Sequence, residues 1–146
     1  MPIKLFTIGF TKKNAEKFFT ALRKAQVKRV LDIRLNNVSQ LAGFAKRDDL
    51  RFFLKEICHA EYLHLPQCAP TKDILNEYKT NGGSWQAYVD RFIPLIRSRR
   101  IETILTPDLL DYGCLLCSEP TPEQCHRKLV AEYMKEKISN LTIIHL

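Results

Sequence analysis

The sequence has no apolar run near the roughly 18 residues a membrane-spanning helix requires, and its 146 residues include only 5 glycines, 7 prolines and 1 tryptophan. The first absence argues against a helical membrane span. The scarcity of glycine and proline excludes collagen-like, proline-rich and glycine-serine low-complexity chains. There is no Walker loop, no Gly-x-Gly-x-x-Gly fingerprint and no familiar hydrolase signature, so no cofactor is named by motif. Internal repeats and linker-like tracts are also missing. At the N-terminus, Ile3-Lys4-Leu5-Phe6-Thr7-Ile8 follows directly, with no small-residue cleavage site, and reads as a first strand instead of an export signal.

What remains is globular in character. Hydrophobic residues make up 45% of a chain whose residues 1–146 fit a single domain with a sizeable core. Lys and Arg outnumber Asp and Glu by 23 to 16, a net charge of +7. That excess suits an anionic partner: a nucleotide, a nucleic acid or a phosphorylated metabolite. The 5 cysteines are an odd number in a chain without an export signal. They read as reduced thiols of a cytoplasmic protein, most of them small buried hydrophobes.

Apolar runs and helical periodicities alternate along the chain. Strands are expected at Ile3 to Ile8, Arg29 to Ile33, Glu61 to Leu65, Gly113 to Ser118 and Leu141 to His145. Between them lie helical patterns: Asn14 to Ala25 with Asn14 as N-cap, a helix capped by Asp48 or Asp49, and Thr71 to Lys79. A longer helix begins at Ser84 and should kink or break at Pro94, and a last one should run from Pro122 to Ile138. The fold class this implies is α/β: one three-layer domain with a mostly parallel sheet of about five strands and helices on both faces. In such sheets ligands bind beyond the carboxyl ends of the strands.

Leu115 to Arg127 carries the densest chemistry. A buried-type strand runs into a proline-bounded turn and a helix start, bringing Cys117, Glu119, Cys125, His126 and Arg127 together in sequence. A helix N-terminus attracts anions and lowers a nearby thiol's pKa. Cys117, Glu119 and His126 are the candidates for nucleophile or acid–base work. Arg127, with Cys125 beside it, is a candidate for holding the ligand. The bland alternative is that both cysteines are core and that Glu119 pairs structurally with Arg127. A zinc set of Cys114, Cys117, Cys125 and His126 is disfavoured, because residues three apart in a strand leave opposite faces. No metal ligand is assigned.

A second constellation, Asp32 and Arg34, lies at the end of the second strand and reads as an ion pair or an anion clamp. Ser39 follows in a basic loop and Tyr62 shares a strand face with His64; Ser39 and Tyr62 join Asp32 and Arg34 as ligand-binding candidates, while His64 reads as scaffolding. Trp85, Tyr88 and Phe92 read as core at helical spacing, and Lys79 as surface.

These pieces, Thr7-Ile8-Gly9, Asp32-Ile33-Arg34, Ser39 with Phe44, Tyr62-Leu63-His64-Leu65, and Cys117-Ser118-Glu119 with Cys125-His126-Arg127, together resemble the prokaryotic family catalogued as domain of unknown function 488. The resemblance runs over nearly the whole chain and implies an α/β fold without a defined reaction. Phe10-Thr11 stands where the family tends to have His and Ser. Gln67-Cys68-Ala69 stands where it tends to have Leu-Gly-Gly. The leading expectation is an enzyme, or an enzyme-derived binder, of a phosphate-bearing small molecule or nucleic acid. The alternatives are a non-catalytic basic nucleic-acid-binding or interaction domain, and a thiol-based redox or sulfur-transfer protein.

Overall fold

The computed structural model describes residues 2–38, 43–119 and 121–146. Strand β1 is Ile3–Gly9, followed by helix α1, Ala15–Lys24, and strand β2, Arg29–Asp32. Helix α2, Arg47–Phe53, continues through a π-helical turn, Leu54–Cys58, into strand β3, Glu61–His64. Helices α3, Lys72–Lys79, α4, Trp85–Ser98, and the single-turn α5, Pro107–Leu110, lead to strand β4, Gly113–Cys117. Helix α6, His126–Lys137, and strand β5, Leu141–His145, complete the chain.

All five strands are parallel, in the order β3-β2-β4-β1-β5. Both faces are covered, so the central strands are apolar almost throughout, as β1 and β4 show. Alternation divides the core. Phe6, Ile8, Val30, Cys114 and Leu116 pack under α1 and α2 with Phe18, Phe19, Leu22 and Leu50. Leu5, Leu31 and Leu115 pack with Phe92, Ile96, Val130 and Met134 of α4 and α6. Each large aliphatic or aromatic side chain buried this way contributes roughly 1.5–3 kcal/mol.

Local chemistry accounts for most helix ends. Asn14 accepts from the Lys17 amide at 2.8 Å, and Ser84 accepts from the Ala87 amide at 3.0 Å. Three expectations are corrected. The N-cap of α2 is Lys46, with Asp48 and Asp49 in the first turn, where their charge suits the dipole without capping. Helix α4 passes through Pro94 without ending, so of the kink or break expected there the break is excluded. The C-terminal helix starts at His126, because residues 121–125 form a turn in which Gln124 takes a left-handed φ of 56°. Among the described residues no helix is long and apolar enough to cross a membrane.

The site follows from topology. The crossover from β1 passes over one face through α1, and that from β4 passes over the other through α6. Because β1 and β4 are neighbours, a crevice opens where the two connections part, at the register pair Gly9 and Cys117.

Candidate functional site

Gly9 is needed at this crevice for space. A Cβ there would lie 1.6 Å from the Glu119 carbonyl oxygen and 2.7 Å from Arg127 Nη1. The chain beyond β4 therefore folds back over β1, and the turn at 121–125 carries Cys125 onto Cys117. The two form a disulfide, while Cys58, Cys68 and Cys114 are free. The expectation of reduced thiols throughout is thus corrected at one pair. Cys114 does point to the opposite face, among the α1 and α2 side chains.

Arg127 projects from the first turn of α6 and is fully buried. Its Nη1 donates to the Glu119 carbonyl at 2.7 Å and to Cys117 Sγ at 3.0 Å, and lies 3.7 Å from Cys125 Sγ. Its Nε donates to Thr7 Oγ1 at 3.3 Å. Thr7 in turn lies 2.5 Å from His145 Nδ1. Arg127 Nη2 has no partner among the described residues. Burial pushes the guanidinium below its usual range. The structural pairing of Arg127 with the Glu119 side chain is corrected: Arg127 takes the backbone carbonyl, and the carboxylate meets Lys79 Nζ at 2.5 Å.

His126, next on the same helix, faces another way. Its Nε2 lies 2.6 Å from the Ile33 carbonyl, and burial pushes the imidazole down to about 4. A carbonyl only accepts, so Nε2 carries the proton and Nδ1 keeps its lone pair.

Arg34 is the second buried arginine, at 2% exposure, and Asp32 beside it is fully buried. The guanidinium donates to Asp32 through Nε and Nη2, both at 2.8 Å, leaving Nη1 without a partner among the described residues. Tyr62 donates its hydroxyl to Asp32 at 2.5 Å and accepts from Asn37. Burial and the adjacent carboxylate raise that phenol's pKa, keeping its proton in place. His64 Nε2 lies 3.0 Å from the Arg34 carbonyl.

A pocket of about 200 Å³ lies across the carboxyl ends of β2 and β4. Arg34, Cys117, Glu119, Cys125 and His126 line it, opposite Tyr78, Trp85 and Tyr88. Trp85 stacks on Tyr88 with centroids 4.9 Å apart. Of the sequence candidates, Asp32 and Tyr62 stand behind this wall as supports of Arg34, and Arg127 stands behind the sulfurs. Ser39 lies outside the described residues. Sequence reasoning had given no site role to Thr7, Gly9, Tyr78, Lys79, Trp85 or His145. Thr7 and Gly9 belong to the strand-end motif, which was a usable signal. The aromatic spacing pointed to core, and nothing marked Lys79 or His145.

An α/β domain with a paired-cysteine crevice at the strand ends is the class that fold and site define. The sequence model of the family described as domain of unknown function DUF488 matches residues 14–134. The chain belongs to that family. Comparison with curated proteins gave no match, and comparison with solved structures gave none.

Proposed function

We propose that the chain is a cysteine-dependent enzyme exchanging thiols and disulfides on a small anionic substrate, with Cys117 and Cys125 as the reacting pair. One observation carries this reading. Arg127 is a fully buried cation with no carboxylate in ion-pair contact among the described residues, and both sulfurs lie beside its Nη1. A buried charge requires a counter-charge, and a thiolate on Cys117 supplies it. The start of α6 at Cys125 adds the positive end of a helix dipole to the same spot.

The half-reaction that oxidises the pair balances with the substrate disulfide as oxidant, and a second thiol substrate reverses it to restore the reduced pair. In the reduced pair, the Cys117 thiolate attacks one sulfur of a substrate disulfide, forming a mixed disulfide and expelling a thiolate. Cys125 then attacks the Cys117 sulfur, and its proton leaves with the second product as a thiol. The substrate gains two electrons and the pair loses two. Arg34 and Lys79 line the pocket and give the substrate's anionic group its place. Phosphate-bearing ligands form a second reading, favoured by the Nη1 of Arg34, unpartnered among the described residues, and by an aromatic wall suited to a ring. There Glu119 and His126 take the acid–base roles.

Reduced protein mixed with a carboxylate-bearing disulfide should lose two hydrogens, located by peptide mass mapping to Cys117 and Cys125. Arg127→Met should slow that oxidation at pH 7 by about tenfold or more, the effect of roughly one pKa unit on the thiolate. Equal, slow alkylation of all five cysteines, with no internal disulfide formed, would sink the proposal. A thermal shift with nucleotides that disappears in Arg34→Met would instead favour the second reading.

A further inference from the structure

Cys117, Cys125 and His126 each offer a ligand atom, and these atoms all lie within 4.8 Å of one another. From this cluster we infer that the reduced chain binds one zinc-type divalent cation, held by two thiolates and the imidazole, with a fourth position open to the pocket. The inference uses the same two sulfurs as the exchange reaction but does not require that reaction to occur.

The donor set fits the ion. Two thiolates and an imidazole suit a tetrahedral, borderline-soft cation, whereas oxygen-seeking magnesium and calcium would be poorly served. A site with three protein ligands and one free position is the catalytic form of zinc coordination, since structural sites fill all four. Here the three candidate ligands line a pocket, so the free position has somewhere to face.

The surroundings favour the same conclusion independently. The Nε2–H of His126 is committed to the Ile33 carbonyl. This is the outer contact that fixes the tautomer of a metal-bound histidine, and it leaves the Nδ1 lone pair for the ion. Arg127 donates to Cys117 Sγ, as outer N–H groups do to metal thiolates. Charge also decides what fills the open position. Two thiolates cancel a divalent cation, and the adjacent Arg127 leaves the cluster with one positive charge. Hydroxide or an anionic ligand is therefore preferred there over a neutral one.

Metal uptake and the disulfide exclude one another. A phosphine or dithiol must first reduce the pair, and each thiol then gives up its proton as the ion binds. Binding should thus block oxidation of the pair, and oxidation should expel the metal.

The test uses the full chain, reduced with a phosphine under argon and then given Zn²⁺ or Co²⁺ alone. One metal per chain is expected, with the ligand-field bands of tetrahedral cobalt and a thiolate charge-transfer band. The same chain in its disulfide form should take up none, a control that needs no mutation. Cys117→Ser should abolish uptake. His126→Ala should weaken it by more than the ~100-fold that loss of an outer partner costs, with circular dichroism checking that both variants are folded. No stoichiometric uptake by the reduced chain, or uptake unchanged in the disulfide form or in Cys117→Ser, would overturn the inference. Failure of uptake alongside intact disulfide exchange overturns the metal site alone. Uptake without exchange upholds the metal site and removes the exchange reading.

Discussion

Arg34 and Arg127 are both almost wholly buried, both reach the carboxyl ends of the strands, and both leave one guanidinium nitrogen unpartnered among the described residues. They are neutralised differently. Arg34 has a two-point pairing with Asp32, itself steadied by Tyr62. Arg127 has a hydroxyl, a carbonyl and two sulfurs. The first is a closed ion pair whose role is to hold a donor at the pocket wall. The second is a cation without a carboxylate partner among the described residues, and in the proposed reaction its balance depends on the state of the sulfurs. In the proposed exchange reaction the two similar residues divide the labour between scaffold and chemistry.

Removing the fixed partner should have the largest effect. Asp32→Asn leaves Arg34 buried without its counter-charge and should cost about 3–5 kcal/mol, read from urea unfolding. A cost below 1 kcal/mol would mean that Arg34 escapes to water and that the contrast between the two arginines is unfounded. Gly9→Ala comes next. Its Cβ would press on the Glu119 carbonyl that receives Arg127, at about 3 kcal/mol, the upper end of ordinary overpacking. Cys117 and Cys125 should also pair more slowly, as measured by trapping with a rapid alkylating agent.

The smallest effect concerns charge beside Arg127. His126 titrates at about 4 when folded, below the ordinary 6.5, owing first to burial. The unfolded chain therefore takes up this proton first. The stabilisation is complete above pH 6.5 and is lost as pH falls towards 4. Between pH 7 and 5 the metal-free protein should lose roughly 2 kcal/mol through this group. Subtracting the pH profile of His126→Gln isolates that loss, and identical profiles would mean the imidazole is free to protonate in place.

Much of the frame was legible from the chain alone. Asn14 and Ser84 announced their helices because a capping oxygen is a local, short-range signal. The apolar run at Gly113 to Ser118 announced a strand covered on both faces. The insertion of β4 between β1 and β2 was not legible, since parallel neighbours are chosen by packing across the whole sheet. The cysteine pairing was hidden for a local reason. A helix drawn from Pro122 keeps Cys125 on a helical surface, whereas the left-handed Gln124 turns it back onto Cys117. Arg127 was expected to hold the ligand, and its place behind the two sulfurs was not legible, because that depends on the turn that carries Cys125 onto Cys117. Only the crevice at Gly9 makes room for it inside.

The position of β4 also sets an order of assembly. β1 is made first, yet its strand partners are β4 and β5, the last two in the chain. Before Gly113–Cys117 is made, β1 and β2 each lack the strand that lies between them in the sheet. Long-range parallel pairing of this kind is slow to form. The crevice therefore closes only once β4 and the turn after it are in place, and both of its cysteines come from that segment.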